Sequence, residues 1–395
     1  MCRPITRSLP LIRTPCPRAG RSGPPGAAAV KRLAKTIINI GFNLTEPLHS
    51  GSLSRVAIAI MMGLLSGIVE TAMAQPGRHE LIASIKTECS GAPIQFSPDG
   101  KTLFVISGES GGLMLWDVAT KKPRAFFGKV GILCTHMDFS PDGKSLAMID
   151  ATGLSQFDPI AQTSRVLVRP EDLFEGPPPS PVAFSPNGKL LATSDFPGKV
   201  KIWDAGSGKK TATMVGEGAI LDLAFFPDGK TIAGAASGIY LWDVDGKQKP
   251  RVWKGYKFSV RCLAISPDGK TLATPGDSNE VWLWDVEKQR IRDKWKVDYK
   301  LIETVAFSRD GRILVAAGGN GNLTGLSLNP GLVTIWDANT GKQVSRFKVL
   351  EDTVGKVALS PDGKLIAVSA VASLRKVNVW DISAVLPNGG RPNNR

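Results

Sequence analysis

The stretch Val182-Ala183-Phe184-Ser185-Pro186-Asn187-Gly188-Lys189-Leu190-Leu191-Ala192-Thr193-Ser194-Asp195-Phe196-Pro197-Gly198-Lys199-Val200-Lys201-Ile202-Trp203-Asp204 decides the fold. It opens on a short alternating run, Val182-Ala183-Phe184, and breaks at Ser185-Pro186-Asn187-Gly188. In such a turn Pro presets φ at the second position, Asn tolerates the third, and Gly supplies the left-handed residue that closes it. Two further runs follow, Leu190-Leu191-Ala192-Thr193 and Val200-Lys201-Ile202-Trp203. Short apolar runs bounded by turn residues are β-strands. Three short strands cannot bury both faces of their own sheet, so the unit needs copies of itself.

The copies are present. The turn recurs as Ser97-Pro98-Asp99-Gly100, Ser140-Pro141-Asp142-Gly143, Phe226-Pro227-Asp228-Gly229, Ser266-Pro267-Asp268-Gly269, Ser308-Arg309-Asp310-Gly311 and Ser360-Pro361-Asp362-Gly363. An aromatic-Asp pair follows each: Trp116-Asp117, Phe157-Asp158, Trp203-Asp204, Trp242-Asp243, Trp284-Asp285, Trp336-Asp337 and Trp380-Asp381. The aromatic positions step by 41, 46, 39, 42, 52 and 44 residues, the period of four-stranded propeller blades. A fourth strand follows each pair except the last. A matching strand, His79 to Ile85, stands instead before the first copy. The ring is therefore expected to close by pairing that strand onto the seventh blade, which removes an open sheet edge. The residue between the two large ones of the first strand is Ala in five of seven copies, as the crowded innermost strand requires.

On these residues the chain resembles the WD-repeat family over the whole stretch from 79 to 383. The resemblance implies an all-β, seven-bladed β-propeller of four-stranded antiparallel blades, and a binding scaffold before an enzyme. There are departures. The family's Gly-His pair is missing, with Gly255-Tyr256 in its place in the fifth blade, and the turn Asp before the Trp strand is displaced or absent, as at Asp277. The family's buried His/Asp network is therefore not expected, and the likeness runs to looser, bacterial-looking, exported members.

The first 74 residues read differently. Val56 to Val69 carries no charge, Arg55 precedes it, and Ala72-Met73-Ala74 closes it before Gln75. A basic flank, a short apolar core and a small-x-small site make residues 55–74 a signal peptide. Fourteen residues rise about 21 Å as a helix, short of the roughly 30 Å hydrocarbon core, so no stable membrane anchor is expected. Residues 1–54 are an uncertain extension, either upstream of the true start or a transit segment. The mature chain is expected in the periplasm or outside the cell, with residues 384–395 a flexible tail. Of the net charge of +14, half lies in residues 1–74. The rest is spread thinly, and nucleic acid is not an expected partner.

No nucleophile elbow, phosphate loop or paired-cysteine metal spacing occurs, so neither catalysis nor a cofactor is expected. Cys89, Cys134 and Cys262 fall in separate repeats and read as buried thiols, with a Cys89–Cys134 bridge the sharper alternative. His136 and Asp138, two apart on one innermost strand, share a face. With Gln95 and Asp222 they are candidates for a polar cluster lining the central channel. That cluster is the whole basis of the rival reading, a ligand-binding or lactonase- or quinoprotein-like propeller enzyme. The leading expectation is a monomeric scaffold that binds a protein through one loop face. Long insertions lie before the third blade and within the sixth. Phe174, Phe196, Tyr256, Phe258, Tyr299, Leu323 and Leu326, in or beside loops of that face, are the candidate contacts.

Overall fold

The computed structural model describes residues 79–386 apart from 88–90, 108–111, 129–133, 135, 151, 174–180, 278, 321–329 and 371–374. The chain divides into two units at the Ala74–Gln75 junction, and every described residue belongs to the second. That unit holds seven four-stranded antiparallel sheets. Six are built from consecutive strands, beginning at the inner strands Ile94–Phe96, Met137–Phe139, Val182–Phe184, Asp222–Phe225, Ala264–Ile265 and Leu301–Phe307. The seventh takes three strands from the C-terminal end, beginning at Val354–Leu359, and its fourth from Glu80–Lys86. Glu80 pairs with Asp381 and Lys86 with Lys376. The ring closes by pairing the N-terminal strand onto the last blade, as the repeat arithmetic requires.

Blades cohere chiefly through side chains, because among the described residues the ladders run within sheets and not between them. The buried apolar residues fall into seven clusters, one at each interface between blades. Each aromatic of an aromatic-Asp pair packs against the preceding blade: Phe157 with Phe104 and Leu115, Trp203 with Ile149 and Leu154, Trp242 with Val200 and Ile202. In the closing interface Ile85 and Val377 of blade seven meet Ile94 and Phe96 of blade one. Leu103, Leu146, Leu154 and Leu191 are all fully buried. At roughly 25 cal/mol per Å2 of apolar surface, these interfaces are the main stabilising term, and removing one blade opens two of them.

The turns between first and second strands share one wiring. Ser185 Oγ donates to Asn187 Oδ1 and accepts from Leu190 N, while Asn187 Oδ1 accepts from Lys189 N. The Asp-bearing copies do the same, for example Ser140, Asp142 and Lys144. The Ser140 hydroxyl and the Lys144 N–H hold the Asp142 carboxyl below its ordinary pKa. Phe226 breaks the pattern in blade four, where Thr231 supplies the hydroxyl to Asp228 instead. The turns also touch each other. A Cβ added to Gly143 would lie 3.4 Å from the Pro98 ring, and the same relation joins Pro141 to Gly188, Pro227 to Gly269, Pro267 to Gly311 and Pro361 to Gly100. Arg309 interrupts this ring in blade six. Its guanidinium reaches past blade seven to the Pro98 carbonyl of blade one, 3.2 Å away.

The described chain continues three residues beyond the expected boundary at 383. Ser383–Val385 form a 3-10 turn, and Val385 and Leu386 pack against the interface of blades six and seven. Among the described residues no helix is long and apolar enough to cross a membrane.

Candidate functional site

Two places gather the candidate residues: the inner edge around the axis, and the loop face opposite the tight turns.

Around the axis, the inner-strand positions two and four residues before each turn form two rows, from which Gln95, Asp138 and Asp222 reach forward to the next blade. Four residues before the turn stand Pro93, His136, Pro181, Asp222, Cys262, Thr304 and Lys356; two before it stand Gln95, Asp138 and five alanines. The structure joins the expected cluster in part. Gln95 Nε2 donates to Asp138 Oδ1 at 3.1 Å, linking blades one and two. Asp138 Oδ2 accepts from Phe184 N at 2.7 Å, linking two and three. Asp222 stands apart from these, and its Oδ2 accepts from Leu263 N at 2.9 Å, linking four and five. Its Oδ1 accepts from Leu223 N.

Lys356 is the residue that sequence reasoning missed. Its Nζ lies 2.9 Å from His136 Nε2, so blade seven reaches blade two across blade one. Setting the seven inner strands in register on their turns would have placed Lys356 in the row of His136 and Asp222. Only the ring makes it their neighbour.

The electrostatics follow from burial. Burial, and secondarily the Lys356 charge, lowers His136 to about 3, so the imidazole is neutral. Nε2 then accepts from the ammonium and Nδ1 carries the proton. Burial raises Asp138 to about 6 against the pull of its hydrogen bonds. It raises Asp222 too, while Lys356 pulls the other way. Burial pushes the Cys262 thiol well up, which makes it a poor nucleophile. Both oxygens of each carboxylate are spent on N–H groups of the chain and not held out towards a ligand. Among the described residues no group of three or more His, Cys, Asp or Glu is placed to hold a metal. The arrangement acts as a set of clips between blades.

The loop face carries the joins between second and third strands and between one blade and the next. Phe196, in a turn of blade three, is 52% exposed, and Phe258, between blades four and five, is 72% exposed. Leu221, where blade four begins, is also exposed. Phe174, Leu323 and Leu326 lie outside the described residues. The two tyrosines require correction. Tyr299 is 1% exposed, and its hydroxyl donates to the Ala316 carbonyl at 2.9 Å. Tyr256 is half-buried: Trp284 Nε1 donates to its hydroxyl at 2.7 Å, and that hydroxyl is 2.8 Å from Thr274 Oγ1. Its ring stacks on Trp282. Both rings are anchors of the fold. A Trp-Tyr-Thr chain thus occupies blade five, with Tyr256 where a histidine was missed.

The loops on this face are pinned. Val260 N donates to Ala236 O at 2.7 Å, Lys257 N to Asp277 Oδ1 at 2.8 Å and Lys300 N to Asn320 Oδ1 at 3.0 Å. Before blade three, the one-turn helix Pro170–Leu173 gives its last carbonyls to Lys201. The ammonium is 2.9 Å from Leu173 O and 3.0 Å from Asp195 Oδ2, with both side chains buried. A buried pair of this kind costs desolvation and is held by its further hydrogen bonds. Here it fixes the base of the insertion to blade three.

The WD domain, G-beta repeat model matches residues 182–204 and 247–285. The chain is 35% identical over 98 residues to WD repeat and SOCS box-containing protein 1 of Xenopus tropicalis, covering 24% of this chain and 23% of that protein. It is 25% identical over 194 residues to an uncharacterized WD repeat-containing protein of Schizosaccharomyces pombe, covering 46% and 48%. To Protein groucho of Drosophila melanogaster it is 26% identical over 193 residues, covering 47% and 25%. The matched stretches span less than half of each of these relatives.

Proposed function

Because the chain is a WD40-repeat β-propeller, we propose that it is a non-catalytic scaffold that binds a protein partner through its loop face. The observation that carries this reading is Phe196 and Phe258, two exposed aromatics held on pinned loops of a closed ring. Rigid scaffolds present function on loops, and aromatic anchors dominate interfaces. The axis cluster supports binding over catalysis, because its carboxylates are consumed in joining blades. The protein works as a monomer and without a cofactor.

Immobilised full chain should retain a partner from an extract of its host, and the Phe196→Ser/Phe258→Ser variant should lose it. Equal retention by the variant would move the interface off this face. We also propose export, with cleavage after Ala74 and a periplasmic or secreted mature protein. The basic flank, apolar core and Ala72-Met73-Ala74 site support it. N-terminal sequencing of the mature protein should begin at Gln75, and recovery of the uncleaved chain from the cytoplasm would sink the idea.

A further inference from the structure

We infer that the loop edge of blades five and six takes an acidic segment of the partner, with an apolar side chain of that segment resting on Phe258. The inference rests on the loop-face reading above and names the chemistry of what that face binds.

Its first support is a device that occurs twice. In Tyr256-Lys257 and again in Tyr299-Lys300, the tyrosine is drawn into the fold and the next residue's N–H is fixed to a side chain of a neighbouring loop, Asp277 or Asn320. Each pair therefore anchors its backbone while leaving the lysine side chain exposed. Adjacent blades thus present one fixed cation each at the same edge.

The second support is the charge that this edge presents. Some basic residues of the tight-turn face have carboxylates at hand, among them Lys288 with Asp285, Lys247 with Asp245, Arg312 with Asp310 and Lys364 with Asp362. At the loop edge, Lys254, Lys257 and Lys300 are exposed, and among the described residues none has its ammonium within 4.0 Å of a carboxylate. Among the acids of this stretch, Asp298 is taken by Arg346, Glu351 by Lys348 and Glu303 by Arg261, while Asp277 accepts the Lys257 N–H. Among these unmatched cations stands Phe258, the most exposed aromatic of the described residues. Exposed ion pairs add little net affinity each. The lysines therefore steer and select, while the desolvated anchor at Phe258 supplies affinity. A complementary segment must bring carboxylates and an apolar side chain together.

A displayed library of random peptides, selected on the immobilised full chain, tests this. The Lys257→Glu/Lys300→Glu and Phe196→Ser/Phe258→Ser variants serve as comparisons, each first shown by its melting curve to be folded. Enriched peptides should carry net negative charge with at least one large apolar residue. Their affinity should drop about tenfold or more on charge reversal, because two attractive charges become repulsive ones, and should weaken as salt rises. Neutral or basic peptides that depend on Phe258 but ignore charge reversal would overturn the acidic assignment and leave the loop-face reading standing. Peptides that bind both variants as tightly as the parent would overturn both. A single-stranded oligodeoxynucleotide that outcompetes the enriched peptides would replace the protein segment with a polyanion.

Discussion

The two faces of this ring are built by opposite rules. On one, six of the seven turns repeat a single hydrogen-bond wiring, and all but one of the seven pass a proline against the next turn's glycine. On the other, joins differ in length from blade to blade, and the exposed aromatics Phe196 and Phe258 stand. Repetition serves closure: each turn must fit its neighbour whatever its position. Irregularity serves recognition, because a surface identical in all seven blades would offer a partner no single place to sit. The faces should therefore answer to different perturbations, stability on the first and binding on the second.

The largest effect is expected where closure itself is removed. Truncation through Lys86 strips the fourth strand from blade seven and uncovers Ile85's cluster with Val377 and Ile94. Calorimetry should show loss of the cooperative transition, with aggregation. A truncated chain that melts like the parent would mean that the ring does not depend on this strand.

Next is acid response, set by the axis clips. His136 has its pKa depressed from 6.5 to about 3. It therefore contributes stability that is complete above pH 6.5 and is lost as pH falls towards 3. Asp138 has its pKa raised from 3.8 to about 6, so its contribution is complete below 3.8 and lost as pH rises through 6. The two oppose each other between pH 4 and 6, with His136 the larger. His136→Gln should resist acid better than the parent over that window, and Asp138→Asn should resist it less. Urea midpoints at pH 4, 5, 6 and 7 would show this. Parallel curves for all three proteins would mean that these groups do not set the acid response.

A smaller effect sharpens the contrast at matched backbone. Gly143 on the turn face and Gly218 on the loop face both have positive φ, but only Gly143 has a neighbour, Pro98. Valine at Gly218 should cost about 1–3 kcal/mol for its backbone alone. At Gly143 it should cost measurably more, because its methyl groups meet the proline. Equal losses would show that the contacts between turns are loose. The smallest effect belongs to the loop face: Phe196→Ser/Phe258→Ser should change stability by no more than about 0.5 kcal/mol. A larger loss would mean that these rings support the fold.

The same contrast explains what could be read from the chain. Ser185-Pro186-Asn187-Gly188 was legible because everything that makes it a turn lies within four residues. Seven such segments in register then yield blade number, strand order and closure. Tyr299 was misjudged because its position in a loop is local information, while its burial against Ala316 is not. Lys356 escaped notice for a related reason: its partner His136 is 220 residues away and becomes adjacent only when the ring is complete. Lys201 looks like an ordinary outward residue of an alternating strand. The helix carbonyls that claim it belong to an insertion with no counterpart in the other blades.

The closing strand has a consequence for how the molecule is made. Glu80–Lys86 is the first strand of the propeller to be synthesised, and its partner Lys376–Asp381 is the last. Six blades can assemble in the order of their synthesis, each against the one before. Throughout that time the first strand waits with its backbone groups unpaired, and the inner face of blade one waits without its neighbour. The barrier to the finished protein therefore falls at the end of synthesis, as a meeting of the two ends of the chain. During that interval an unfinished chain exposes the edge and the apolar face that the completed ring hides.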